Sequence, residues 1–159
     1  MKKEEKRMIK TILLLAIAVV QLAAIQPEQL YGEWKTESEI LVRESTNFVY
    51  EDLTINPGSF MVTMHITIQK NEYLIKDLQL QGKGTWKVSD DVLVYVISEV
   101  YTVGVRETRG ISQESINKLA RDLHQKYMND PIRILKIQSI SAERLTINES
   151  GEIIQYRRK

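Results

Sequence analysis

Across residues 32–157 the chain is a succession of strand-length segments separated by turn signals, and that punctuation limits the fold more than any other feature. Residues 59–69 alternate strictly: Phe60, Val62, Met64, Ile66 and Ile68 fall on one face, and Met61, Thr63, His65, Thr67 and Gln69 on the other. A period of two marks a half-buried strand. Asn56-Pro57-Gly58 and Asn71-Glu72 flank it as turns, so residues 48–55, 59–69 and 73–81 read as consecutive hairpin strands. A first strand starts at Gly32-Glu33-Trp34, with Trp34, Thr36, Ser38, Ile40 and Val42 on one face. Gly82-Lys83-Gly84 is expected to break the chain before a short strand at 85–89, and Asp90-Asp91 turns it into 92–103. That last segment is apolar on both faces, so cover on both sides is expected at its start. A polar stretch, 104–111, follows. Strands at 132–140, 144–148 and 152–157 close the chain, the last two joined by Asn148-Glu149-Ser150-Gly151.

Only one segment carries a helical period. Ser112 is the expected N-cap, Glu114 suits the first turn, and Ile116, Leu119, Ala120, Leu123 and Tyr127 form one apolar stripe. Asn129-Asp130-Pro131 ends the helix. About eight antiparallel strands with one late helix predict a mainly β protein, a small barrel or strongly curved sheet. The helix is expected either on the barrel's outside or across one end.

A leader precedes this domain. Residues 1–10 carry Lys2, Lys3, Lys6, Arg7 and Lys10 against Glu4 and Glu5, and residues 11–25 are almost wholly apolar. From Met8 to Ile25 the run of 18 residues would span roughly 27 Å as a helix, about one bilayer core. The expected layout is a cytoplasmic basic tail (1–10), a transmembrane anchor (11–25) and a periplasmic domain (26–159), held in the inner membrane. A cleaved signal peptide is the competing reading, although no small-x-small cleavage site stands at its end. The chain has 22 basic and 21 acidic residues; with the first ten removed, 17 and 19 remain, a net charge near −2. That balance argues against direct contact with nucleic acid. The absence of cysteine removes disulfides, thiol nucleophiles and thiolate metal sites.

Nothing in the motifs points to catalysis. His65 and His124 have no partner at metal-ligand spacing, Gly82-Lys83-Gly84 is too short for a phosphate loop, and Asp90-Asp91 suits a tight turn. Glu99 is the acidic residue to watch, expected where its strand emerges into solvent. No enzyme, cofactor or metal is expected. The aromatic residues say more. Trp34 and Trp86 each follow a glycine by two residues at a strand start, as end plugs of a small barrel do. The alternative is that one of them lines an apolar cavity whose wall includes Phe60, Val62, Met64 and Ile66.

The segment Gly84-Thr85-Trp86-Lys87-Val88-Ser89-Asp90-Asp91, followed by Leu93, resembles the ToxS-type family. The resemblance continues through Ile111-Ser112, Ser115-Ile116 and Arg144-Leu145-Thr146-Ile147, and the PsaF and VtrC groups are similar in architecture. It implies a lipocalin-like antiparallel barrel behind an N-terminal transmembrane helix. It also implies a membrane-anchored periplasmic subunit that binds and stabilises a ToxR-like, membrane-tethered winged-helix regulator as a heterodimer, with a bile-salt-like amphipathic ligand in some members. The cavity residues expected on this reading are Trp34, Phe60, Val62, Met64, Trp86 and Tyr95. Such a subunit should leave an exposed strand edge or apolar patch when isolated. A free periplasmic carrier of a small apolar ligand is the alternative.

Overall fold

The computed structural model describes residues 24–42 and 45–159. Its elements are α1 (Pro27–Leu30), β1 (Gly32–Val42), β2 (Ser45–Asn56), β3 (Ser59–Lys70), β4 (Tyr73–Ser89), β5 (Val92–Arg109), α2 (Gln113–Asn129), β6 (Ile132–Ile140), β7 (Arg144–Glu149) and β8 (Glu152–Arg158). The strands pair in sequence order and β8 returns to β1, which closes an antiparallel barrel. Turn chemistry sets the hairpins: Gly58, Asn71, Asp90, Ser150 and Gly151 all hold positive φ.

Closure is uneven along the barrel. β1 meets β8 through two residue pairs, Trp34↔Arg158 and Lys35↔Arg157, and β5 meets β6 only from Val92↔Lys136 to Val96↔Ile132. One end is therefore an eight-stranded ring. Beyond it the long strands β1–β5 continue as a five-stranded sheet, whose concave side α2 covers. Ser112 accepts a hydrogen bond from the Ser115 amide (3.2 Å) and starts that helix. Its stripe of Leu119, Leu123 and Tyr127 packs on Met64, Leu78, Leu80 and Val100, inward residues of β3, β4 and β5. Of the two placements expected for the helix, it takes the one across the barrel end.

The ring end is plugged. Pro27 at the first helical position opens α1, so the expected polar bridge at 26–30 is instead a single helical turn. Leu30 and Trp34 are fully buried, and the Trp34 indole N–H donates to the Leu30 carbonyl (2.8 Å). The Arg158 guanidinium lies 4.1 Å from the Trp34 ring and donates to the carbonyls of Tyr31 (2.5 Å), Gln29 (3.0 Å) and Ala142 (2.7 Å). Trp86 donates to the Asn56 carbonyl (2.7 Å) and meets Tyr31 edge-on.

Three expectations are corrected. β4 runs unbroken through Gly82-Lys83-Gly84, bending at register shifts between Gln79 and Leu80 and between Lys83 and Gly84. The glycines serve close approach rather than termination. β5 likewise continues through the polar stretch to Arg109, because from Tyr101 onward nearly every position on both faces is exposed and needs no apolar side chain. The outer face at the start of β5 is not covered: Val92 and Val96 are exposed beside Ile132 and Ile134 of β6, the last at 64%. The expected anchor at 11–25 lies outside the described residues except for its last two. Among the described residues, no helix is long and apolar enough to cross a membrane.

Candidate functional site

Between the Trp34 plug and α2 the barrel holds a cavity of about 120 Å³. Its apolar wall comes from the inward-facing residues of six strands, among them Leu53, Phe60, Val62, Val100, Leu135 and Ile147. Gly82 lines it as well, where a Cβ would stand 3.2 Å from Val62 Cγ1. Glycine keeps this part of the wall open.

One region of the wall is polar. Glu51, Tyr95, Arg133, Glu149, Tyr156 and, from α2, Tyr127 reach the cavity together. They sit where the eight-stranded ring gives out, since Tyr95↔Arg133 is the next-to-last pair of the β5–β6 ladder. Arg133 and Glu149 form an ion pair, and the Arg133 guanidinium lies 6.0 Å from the Tyr127 ring. The Tyr156 hydroxyl donates to Glu51 Oε2 (2.8 Å), and the Tyr127 hydroxyl reaches Met64 Sδ (3.4 Å). The Tyr95 hydroxyl is buried with no hydrogen-bond partner, in a residue only 7% exposed. A stranded hydroxyl of that kind costs about 1–3 kcal/mol unless something in the cavity meets it.

Burial raises the Glu51 carboxyl above its ordinary value of 4.5, although the Tyr156 hydroxyl opposes the shift. Glu51 is only half-buried by surface area because it lines the cavity, and the protein packed around it is what penalises its charge. Burial likewise raises the hydroxyls of Tyr95 and Tyr156. The sign for stability follows from Glu51. Well below pH 4.5 the group is neutral folded and unfolded and contributes no penalty. As pH rises from there through the higher folded value, the folded state must give up a proton it holds more tightly, and stability falls. Glu51→Gln is therefore expected to gain about 1 kcal/mol, or ~4 °C in Tm, at pH 8 and little at pH 4. Thermal melts of both proteins at the two pH values check this; an equal difference at both would remove the charge as its cause.

Four of the six expected cavity residues, Phe60, Val62, Met64 and Tyr95, line this space. Trp34 and Trp86 do not, and belong to the plug. The polar residues Glu51, Arg133, Glu149 and Tyr156 were missed, though strand parity points to them. Glu51 lies two residues before inward Leu53, Arg133 two before Leu135, and Glu149 two after Ile147. Glu99 is exposed and paired with Lys83 (2.9 Å), at the emergence into solvent expected for it.

Outside the barrel, His65 has the carboxylate neighbours that sequence spacing concealed: Asp77 Oδ1 at 2.6 Å and Asp52 Oδ2 at 4.0 Å. The β2–β3 and β3–β4 registers bring them together. Among the described residues, no group of three or more His, Cys, Asp or Glu side chains could hold a metal. His124 bonds through Nδ1 to the Val100 carbonyl (2.8 Å), which fixes α2 to β5.

A closed eight-stranded barrel with sequential antiparallel pairing and an internal cavity is the architecture of up-and-down ligand-binding barrels, the lipocalins among them. No family model and no curated protein matches the chain. Among solved structures, a lipocalin-like protein from Bacteroides uniformis ATCC 8492 is 14% identical with a TM-score of 0.45, covering 82% of this chain and 99% of that one. An uncharacterized protein from Bacteroides eggerthii DSM 20697 is 12% identical with a TM-score of 0.46, covering 81% and 98%. The barrel assignment rests on the strand order itself.

Proposed function

We propose that this chain is a non-enzymatic small-ligand-binding barrel of the cell envelope. In this reading it is anchored in the inner membrane and acts as the periplasmic accessory subunit of a ToxR-like, membrane-tethered winged-helix regulator. The observation that carries the binding reading is the apolar cavity with a polar end, built entirely from one chain. The partnership draws on the resemblance, together with two surfaces an isolated monomer has little reason to keep. One is the uncovered strip of Val92, Val96, Ile132 and Ile134. The other is the length of β5 beyond Ile97, which among the described residues has β4 as its only strand neighbour. A bile salt suits the cavity poorly in its present shape, because drug-sized ligands occupy roughly 300–1,000 Å³. The free carrier remains the second reading, favoured by the completeness of the cavity within a single chain.

Co-purification of the tagged full chain from membranes tests the partnership. Recovery of a single-pass winged-helix protein in near-equal amount is the expected result. Recovery of this chain alone, in the soluble periplasmic fraction, would replace the subunit reading with the free carrier.

A further inference from the structure

The polar end of the cavity specifies what kind of ligand can occupy it. Of the three carboxylate and guanidinium side chains there, Arg133 and Glu149 satisfy each other. Glu51 is left with a neutral partner, the Tyr156 hydroxyl. The wall thus holds two carboxylates and one guanidinium and is short of one positive charge. Beside this imbalance stands the Tyr95 hydroxyl, buried without a partner, whose oxygen can accept a hydrogen bond. The rest of the lining is apolar. A space of about 120 Å³ is on the scale of engineered apolar cavities that bind benzene, so the body of the ligand is one ring or a short branched alkyl group.

We infer that the cavity takes a compact apolar amine, its body among Phe60, Val62 and Leu135 and its ammonium against Glu51 and the Tyr95 oxygen. This inference rests on the reading of the barrel as a small-ligand binder and names the ligand's chemistry. An ammonium donates and does not accept, which matches the two groups left over: a carboxylate whose one hydrogen-bond partner is neutral, with Arg133 acting on it only at a distance, and a phenol oxygen without a donor. An anionic head would meet two carboxylates across a poorly solvated space and is disfavoured for the reason an amine is favoured.

The test is calorimetric titration of the full chain in lipid nanodiscs at pH 7.5 with benzylamine, benzyl alcohol, benzoate and deoxycholate. The first three share one ring and differ in the head group. Benzylamine is expected to bind at least tenfold more tightly than benzyl alcohol, with benzoate and deoxycholate weaker than both. In Glu51→Gln the advantage of the amine over the alcohol should disappear while the alcohol still binds. In Tyr95→Phe the affinity for the amine should fall several-fold. Tightest binding by benzoate or deoxycholate, or an amine preference that survives in Glu51→Gln, would overturn the ligand class and leave the barrel a binder. Absence of binding by all four would overturn both the ligand class and the binding reading beneath it.

Discussion

Replacing Trp34 with alanine is expected to cost about 3–5 kcal/mol, the usual range for truncating a large buried aromatic. A domain of this size has only about 5–15 kcal/mol in total, so a fall in Tm of roughly 10–20 °C should follow. The effect belongs at the upper part of that range because the indole does three things at once. It fills the ring end with no exposed surface, ties the Leu30 carbonyl, and offers the face on which Arg158 rests. Arg158 should show the same linkage in weaker form. Its fork reaches three carbonyls on two segments, and lysine has no such fork, so Arg158→Lys is expected to lose nearly as much as Arg158→Ala. Thermal or urea denaturation measures both. If Trp34→Ala melted within 3 °C of the parent, the plug would not be what holds the ring end together.

Gly84→Ala is the second large effect, and it arises from backbone rather than side chains. A Cβ at Gly84 would overlap the Val96 carbonyl oxygen and stand 2.9 Å from Val96 C and 3.0 Å from Ile97 Cα. Those atoms belong to β5, which cannot recede without breaking its ladder with β4 or β6. A loss of about 2–4 kcal/mol is expected, at or above the usual range for overpacking because main chain is what must move. Gly104 is the control, in the same sheet with nothing within 4 Å of its added Cβ. Gly104→Ala should lie within about 0.5 kcal/mol of the parent. Equal losses at the two sites would mean that glycine is needed for its conformational freedom rather than for the close approach.

The contrast between those glycines shows where sequence reading reached its limit. Alternation and turn residues located every strand and the helix, though they split β4 into two, because each hairpin is local and its signal lies within a short stretch of chain. What failed to show was how far strands continue. Gly82-Lys83-Gly84 has the composition of a break, and only the approach of β5 reveals that these glycines lie within a strand. The polar stretch after residue 103 suggested a loop because β5 there exposes nearly every position on both faces to water. Three members of the cavity wall, Phe60, Val62 and Met64, were legible from the alternation of β3, and Tyr95 came with the resemblance. The two tryptophans were read from their positions as end plugs, which they are, and only the resemblance put them in the cavity; a plug and a wall demand the same residue type, and the α1 turn and Arg158 distinguish them. The charged members were invisible for a different reason: a glutamate among apolar residues looks like a surface position until parity is followed strand by strand.

The short helical turn α1 also settles a matter of direction. Ile25 bonds to the Asp90 carbonyl at the β4–β5 turn, so the polypeptide joins the domain at the plugged end. Any tether upstream of Ala24 would pull on that end. Helix α2 and the free run of β5 would then stand at the far pole, turned away from the point of attachment. A mooring placed at the sealed base would leave the opposite pole unobstructed.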